Sequence, residues 1–435
     1  MARGLWIAAP ASGAGKTLVT LALLRALRER GVVVASVKAG PDFIDPAFHA
    51  VASGRPCFNL DGWAMRPETL AATATEAGAG AALVIGEGVM GLFDGAAPGG
   101  GSTADLAVAT GWPVVLLVDA KGLGASAAAL VAGYAQHRAD VTLAGLIFNA
   151  VGSEAHRRIL SEACAPLGIP ILGFLPRDPA LTLPERHLGL VQAAEHPALE
   201  DFLARAAVWA AAQLDLEMLQ QLARPGIVGS SARASALPPL GQHIAVARDR
   251  AFAFLYPATI EGWRKQGATL SFFSPLADEA PEESADAVYL PGGYPELHAA
   301  ALSAAAGFGA GLRAAAARGV TIYGECGGYL VLGRGLVDAS GERHAMTDLL
   351  PIESSFATPR RTLGYREATL ASDGPLGRRG QRFRGHEFHF VEARPPDDRE
   401  PLFSARDSRG RDLGPSGARR GAVMGSFLHL IDTWT

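Results

Sequence analysis

Leu5-Trp6-Ile7-Ala8-Ala9-Pro10-Ala11-Ser12-Gly13-Ala14-Gly15-Lys16-Thr17 is an apolar run that ends in a glycine loop and a Gly-Lys-Thr triplet. Leu18, Leu21, Leu24 and Leu27 follow at helical spacing as far as Arg30, and Gly31 closes the helix. Strand, glycine loop, lysine, hydroxyl and helix in that order make a phosphate-binding loop in its required context. Backbone N–H groups of Ser12, Gly13, Ala14 and Gly15, with the helix N-terminus behind them, are placed to cradle the phosphates of ATP. Lys16 meets the outer phosphates, and the Thr17 hydroxyl reaches Mg²⁺. The strict pattern has glycine where Pro10 stands, so the match is imperfect at that position.

Further strands and loops follow in the same rhythm and predict an α/β domain with a doubly wound sheet. Val32 to Val37 reads as the second strand and runs into Lys38-Ala39-Gly40-Pro41-Asp42-Phe43-Ile44-Asp45-Pro46. Asp42, at a carboxyl strand end beside the phosphate loop, is placed to hold metal or substrate, and Lys38 to assist the phosphate site. Asp45-Pro46 reads well as turn chemistry. Ala82 to Ile85 is the third strand, and Glu87 after it stands where a second Mg²⁺ ligand is wanted. Pro98 to Gly101 reads as a flexible loop able to close over the site, ahead of a helix capped by Ser102.

Val114 to Asp119 and Leu143 to Asn149 are the next strands, flanking an alanine-rich helix from Leu123 to Gln136. Asn149 reads either as facing adenine or as a turn cap. Ile171 to Phe174 adds a sixth strand, and Leu199 to Leu222 reads as one helix. The Ser-, Pro- and Ala-rich stretch 224–241 reads as a linker. The expected domains are therefore 1–223 and 242–435.

The second half is organised around Tyr323-Gly324-Glu325-Cys326-Gly327-Gly328-Tyr329. An apolar strand from Val320 to Tyr323 precedes the cysteine, and an apolar helical pattern follows Gly328. A thiol on such a strand-to-helix turn is pushed out of the sheet and sits beside a helix N-terminus that favours thiolate. Taken alone, Gly-x-Cys-Gly-Gly leaves nucleophile and tight turn both open. Two other stretches favour the nucleophile: Pro291-Gly292-Gly293, whose backbone can face an oxyanion, and Ser426-Phe427-Leu428-His429, which supplies a base. Ile244 to Ala247 and Thr269 to Phe273 read as strands, Leu297 to Ala317 as a helix, and Phe383 to Phe390 as antiparallel strand. His386 and His389 fall on opposite strand faces, which argues against a metal pair; Glu387 reads as a hydrogen-bonded strand residue.

Composition narrows the function classes. A net charge of −4 argues against nucleic acid or anionic membrane as partner. Cys57, Cys164 and Cys326 are too scattered for a disulfide or zinc framework, which fits a reducing cytoplasm. No apolar run reaches the roughly 20 residues of a membrane span. The first apolar run is too short for a signal sequence and reads as a strand. Lysines occur only at 16, 38, 121 and 265 among 39 basic residues, and two of the four flank the phosphate site.

The stretches around Pro291, Cys326 and Ser426 resemble the class I glutamine amidotransferase domain found in cobyrinic acid and hydrogenobyrinic acid a,c-diamide synthases. Gly40 to Pro46 and Glu87 to Gly95 are similar to signature loops of the same enzymes, whose ATP domain resembles dethiobiotin synthetase. The resemblance spans essentially the whole chain. It implies that Cys326 attacks the glutamine amide, that His429 is its base, and that Gly293 and Gly327 N–H groups hold the oxyanion. It also implies roles for Asp42, Phe43, Ile44, Glu87 and Asp94 in ordering the two amidations and in holding Mg-ATP and substrate. The wider class has Glu two residues after the histidine, and here that position is Ile431, which leaves a Cys/His dyad.

A nucleotide site and an ammonia-releasing site on one chain imply a carboxylate activated as an acyl phosphate and then captured by nitrogen. Exclusion of water implies loop closure and an internal ammonia route. The resemblance supplies a corrin polycarboxylate as substrate, the metal-free form preferred, with glutamine and ATP as co-substrates and room for a homodimer. Two alternatives stay open: a nickel-tetrapyrrole diamide synthase, and a P-loop switch ATPase with a non-catalytic second half. Such ATPases carry a lysine where this chain has Ala11, which counts against the switch.

Overall fold

The computed structural model describes residues 2–97, 99–186, 189–226, 237–394 and 399–434. Contacts divide the chain into two units, Met1–Trp63 with Pro67–Ala234, and Ala64–Arg66 with Ser235–Thr435. Residues 227–236 of the expected linker, and Pro98 of the expected closing loop, lie outside the described residues.

The main sheet of the first unit runs through β1 (Arg3–Ala8), β2 (Val34–Ala39), β3 (Phe58–Leu60), β4 (Leu83–Glu87), β5 (Val114–Asp119), β6 (Leu143–Asn149) and β7 (Ile171–Phe174). They lie in the order β3-β2-β4-β1-β5-β6-β7, and every ladder along that path is parallel. Parallel neighbours need crossovers, which the intervening helices supply. The chain winds outward from β1 to one side through β2 and returns on the other through β5. The switch point therefore falls at the carboxyl ends of β1 and β4, where such sheets bind ligands.

Helix α1 (Lys16–Glu29) buries Val19, Leu21, Leu23, Leu24 and Leu27 completely, largely against the helix Leu199–Gln213. Burying each such side chain is worth about 1.5–3 kcal/mol in transfer free energy, which anchors the phosphate loop at its N-terminus. The single helix expected from Leu199 to Leu222 is broken instead, ending at Gln213 and restarting at Leu216. Asp215 breaks it by adopting an extended backbone and accepting the Met218 N–H as an N-cap. The start of the expected linker also differs: Arg224–Pro225 pairs antiparallel with Arg3 and Gly4 of β1.

The second unit combines a small four-stranded sheet (Arg343–Ala345, Gly335–Val337, Glu353–Ser355 and Glu392–Arg394) with two larger ones. One runs Thr269–Phe273, His243–Ala247, Ala287–Leu290, Thr321–Glu325 and Val423–Ser426, all parallel, with Ala418–Arg420 antiparallel at the edge. The other is antiparallel: Asp412–Ser416, Phe403–Asp407, Thr362–Leu370, Arg382–His389 and Leu428–Trp434. The chain leaves the first sheet at Ser426 and enters the second at Leu428, so His429 stands at the seam between them. The helix expected from Leu297 to Ala317 is bent by 87° between Ala304 and Ala306. Asp278 fixes the bend by accepting the Phe308 N–H near the start of the second segment. Among the described residues no single helix is long and apolar enough to cross a membrane.

Candidate active site

Strand Thr321–Glu325 ends directly at Cys326, which caps the short helix Gly327–Val331 with φ 47° and ψ −105°. A left-handed φ at a residue with a side chain is strained, and such strain persists only where the surroundings over-determine it. Here they do. The Cys326 N–H donates to Ser426 O at 2.8 Å, and a Cβ on Gly328 would stand 2.0 Å from the Leu290 carbonyl oxygen. Only glycine lets the helix approach that closely, so the elbow is held from both sides.

The partners meet at Gly292. The point where its Cβ would lie is 3.3 Å from His429 Nε2 and 3.4 Å from Cys326 Cβ. The Gly293 nitrogen in turn lies 3.0 Å from the point where a Gly327 Cβ would stand. Thiol, imidazole and the amides of Gly293 and Gly327 thus share one small space. Burial, with repulsion from Glu296, pushes the Cys326 thiol up, and the Gly327 N–H donating to the sulfur pulls the other way. Burial, helped by the neighbouring His386 and His389, holds His429 well below the usual histidine range. The resting pair is therefore a thiol beside a neutral imidazole, which is the protonation state a base needs.

The strand Arg382–His389 walls this space. His386 stacks on His429 with ring centroids 4.8 Å apart, and its Nε2 lies 3.0 Å from Tyr256 Oη. Glu387 accepts from Arg366 Nε at 2.7 Å and pairs with His389 Nε2 at 3.0 Å. The Phe388 carbonyl oxygen is 3.9 Å from Cys326 Sγ. Ile431 is buried and apolar, whereas the carboxylate of Glu325 comes within 3.8 Å of His429 Nδ1. Gly293 tolerates no side chain, since its Cβ would stand 2.0 Å from Ala251 O. Gly293→Ala must shift the backbone that carries the Gly293 N–H, and the glutamine-dependent kcat is expected to fall by up to roughly 10²–10³-fold, the cost of a displaced oxyanion donor. Steady-state glutaminase assays check this.

In the first unit, Lys16 Nζ donates to Ala11 O at 3.1 Å and Met90 O at 2.6 Å, and burial lowers its pKa. Met90 has φ 51°, a second strained non-glycine turn beside a phosphate loop. Gly15 caps α1 at φ 92°, and a Cβ there would meet Asn149 Nδ2 at 2.6 Å. Asn149 donates to Ala14 O at 2.9 Å, so it buttresses the loop. Asp94 accepts the Gly91 N–H, and Tyr134 donates to Pro10 O while stacking on Phe93. These contacts fasten the loop after β4 to the phosphate loop.

Below Lys16 lies a buried charge cluster. Lys38 Nζ donates to Asp45 Oδ2 at 2.6 Å and Glu87 Oε1 at 2.7 Å, with Asp42 Oδ2 at 3.8 Å. The Thr17 hydroxyl donates to Glu87 Oε1 at 2.8 Å and lies 3.2 Å from Asp45 Oδ2. His49 Nε2 is 2.7 Å from Glu87 Oε2, and its Nδ1 is 3.5 Å from Cys57 Sγ. Burial and the neighbouring Asp42 raise the Asp45 carboxyl to about 7. Burial opposes the charge on His49, but Cys57 and Glu87 outweigh it and raise its pKa to about 10. Burial likewise opposes charge on Glu87, and Lys38 with His49 overcomes this to hold it well below the carboxylate range.

Asp45 Oδ2 and Glu87 Oε1 each meet both the Lys38 ammonium and the Thr17 hydroxyl, and the three oxygens of Thr17, Asp45 and Glu87 are a hard donor set of the kind that suits Mg²⁺. Asp42 is placed differently from its two companions. Its Oδ1 accepts the N–H groups of Ile44 and Asp45 and so holds the start of α2 (Asp45–Ser53). Ile44 packs on the apolar core, and Phe43 is half-buried beside it.

Residues 5–191 match the CobQ/CobB/MinD/ParA nucleotide binding domain, and residues 243–433 match the CobB/CobQ-like glutamine amidotransferase domain. The hydrogenobyrinate a,c-diamide synthase of Rhizobium meliloti (strain 1021) is 56% identical over 433 residues, 99% of both chains. The enzymes of that name from Brucella abortus and Agrobacterium fabrum are 55% and 49% identical, again over at least 98% of both chains. The chain belongs to the hydrogenobyrinate a,c-diamide synthase family. It is a ligase built from a nucleotide-binding P-loop domain and a glutamine amidotransferase domain.

Three polar residues of this family member, His49 and Glu325 buried and Asp45 partly so, escape a reading of its sequence. Asp45, read as a turn residue, is the carboxylate nearest Lys38; its i,i+4 spacing to His49 at the head of α2 was the available signal. His49 itself has no motif around it. Glu325 was legible only as a charge closing an apolar strand.

Proposed function

We propose that this protein converts the a and c carboxylates of hydrogenobyrinic acid to amides, using ATP to activate each acid and glutamine as nitrogen donor. The observation that carries the reading is the convergence of Cys326, His429 and the Gly293 amide in a chain whose other unit holds a phosphate loop over a lysine–carboxylate cluster. The substrate is taken from the names of relatives that align end to end.

His429 takes the thiol proton as Cys326 sulfur attacks the side-chain carbonyl of glutamine. The oxyanion that forms lies against the Gly293 and Gly327 N–H groups. Imidazolium then returns the proton to the departing nitrogen, ammonia leaves, and water hydrolyses the thioester to glutamate. In the first unit a corrin carboxylate oxygen attacks the terminal phosphorus of ATP, giving acyl phosphate and ADP. Ammonia attacks the acyl carbon, and phosphate departs with the C–O bond. Lys16 neutralises charge on the transferred group. Thr17, Asp45 and Glu87 are the groups that would hold Mg²⁺, which when bound supplies positive charge to the phosphate oxygens. Lys38 keeps Glu87 ionised and orients both carboxylates, and Asp42 fixes the loop that presents Asp45.

Purified protein given Mg-ATP, glutamine and hydrogenobyrinic acid should release one ADP and one glutamate per amide and yield the diamide by mass spectrometry. Cobyrinic acid in a parallel reaction tests the metal-free preference. ATP turnover indifferent to corrin, with no diamide formed, would sink the proposal.

A further inference from the structure

We propose that Glu325 is the positioning residue that completes the Cys326/His429 pair, an inference that rests on the reading above. It is the residue immediately before the thiol, and it is only 3% exposed. A carboxylate buried there is unfavourable unless its oxygens are engaged. Oε1 accepts the Tyr323 hydroxyl at 3.0 Å and the Leu430 N–H at 3.2 Å. Oε2 accepts the Tyr289 hydroxyl at 2.8 Å and faces His429 Nδ1 at 3.8 Å.

Two consequences follow from this arrangement. Leu430 directly follows His429, so one side chain ties the strand that carries the base to the strand that carries the nucleophile. Burial raises the Glu325 carboxyl to about 7 against the pull of its Tyr289, Leu430 and Tyr323 hydrogen bonds, and the positive charge that His429 gains from the thiol arises 3.8 Å from Oε2, where it favours the ionised carboxylate. The two tyrosine hydroxyls fix which oxygen faces the ring. The neighbouring groups are otherwise committed: Glu387 is engaged by Arg366 and His389, and His386 brings no negative charge and points its Nε2 at Tyr256. The carboxylate that the wider class places two residues beyond the histidine thus comes, in this chain, from the residue before the cysteine.

The test is the near-isosteric Glu325→Gln in the full-length enzyme. The glutamine-dependent kcat should fall by about 10–100-fold, as loss of assistance to a base predicts. The KM for glutamine and the rate with ammonium chloride should hold. Alkylation of Cys326 by iodoacetamide, followed by peptide mass spectrometry, should slow with kcat, which a merely structural role would not produce. A kcat within about twofold of the parent would overturn the proposal. If Glu325→Gln does not fold, the double variant Tyr289→Phe, Tyr323→Phe decides: the carboxylate stays but loses its clamps, and an unchanged glutamine-dependent kcat overturns the assignment. A parent enzyme that releases no glutamate from glutamine would instead sink the underlying function, so the two failures are distinguishable.

Discussion

Replacing Cys326 with alanine is expected to abolish glutamine-dependent amidation, by on the order of 10⁴-fold or more, while ammonium chloride still supports the reaction. The expectation follows from the local geometry. His429 is neutral and buried, and the Gly293 and Gly327 amides face the same space, but none of them can attack an amide carbon without the sulfur. Alanine at 326 leaves the strained turn in place, because the clamps on it are backbone contacts at Ser426, Leu290 and Gly328. The fold should therefore survive, and added ammonia needs only the P-loop unit. Glutamate release and diamide formation, measured side by side with each nitrogen source, separate these outcomes. A variant that lost both activities together would contradict the proposed division of labour.

Lys16→Met should produce the opposite pattern. Methionine keeps much of the apolar stem and removes the charge, so α1 and its leucine face remain packed on the core. The transferring phosphoryl group loses its nearest cation, and amidation with either nitrogen source is expected to fall by roughly 10²–10³-fold. Glutamate release at Cys326 should continue without being converted to amide. ADP formation in the presence of corrin and ammonium chloride is the measurement. Unchanged ADP formation would remove Lys16 from the mechanism. Together the two variants assign each half-reaction to its own unit, with opposite dependence on the nitrogen source.

The parts legible from sequence were those whose physics is local. A phosphate loop needs consecutive backbone N–H groups, a lysine and a hydroxyl within a few residues, so Ser12 to Thr17 announced themselves. The strand ends carrying Lys38, Glu87 and Asn149 were readable because parallel strands are short apolar runs closed by loops. Cys326 was readable because glycines on both sides of a thiol after a strand serve a sharp turn. Interruptions within the long helices were less legible. Apolar periodicity runs straight across Asp215 and Ala305, yet Asp215 caps a new helix and Asp278, thirty residues upstream of Phe308, sets the bend.

Sequence by itself determined the class of chemistry: a P-loop domain joined to a thiol amidotransferase domain, each with its reactive residues at or next to strand ends. Only tertiary structure decided which carboxylates serve those residues. Asp45 rather than Asp42 lies closest to Lys38 and Thr17, Asn149 supports the phosphate loop through Ala14, and Glu325 rather than position 431 faces His429. The physical reason is the same in each case. A motif records what a few neighbouring residues must do together, whereas the partner of a buried charge is set by sheet register and helix phase, which bring together groups far apart in the chain.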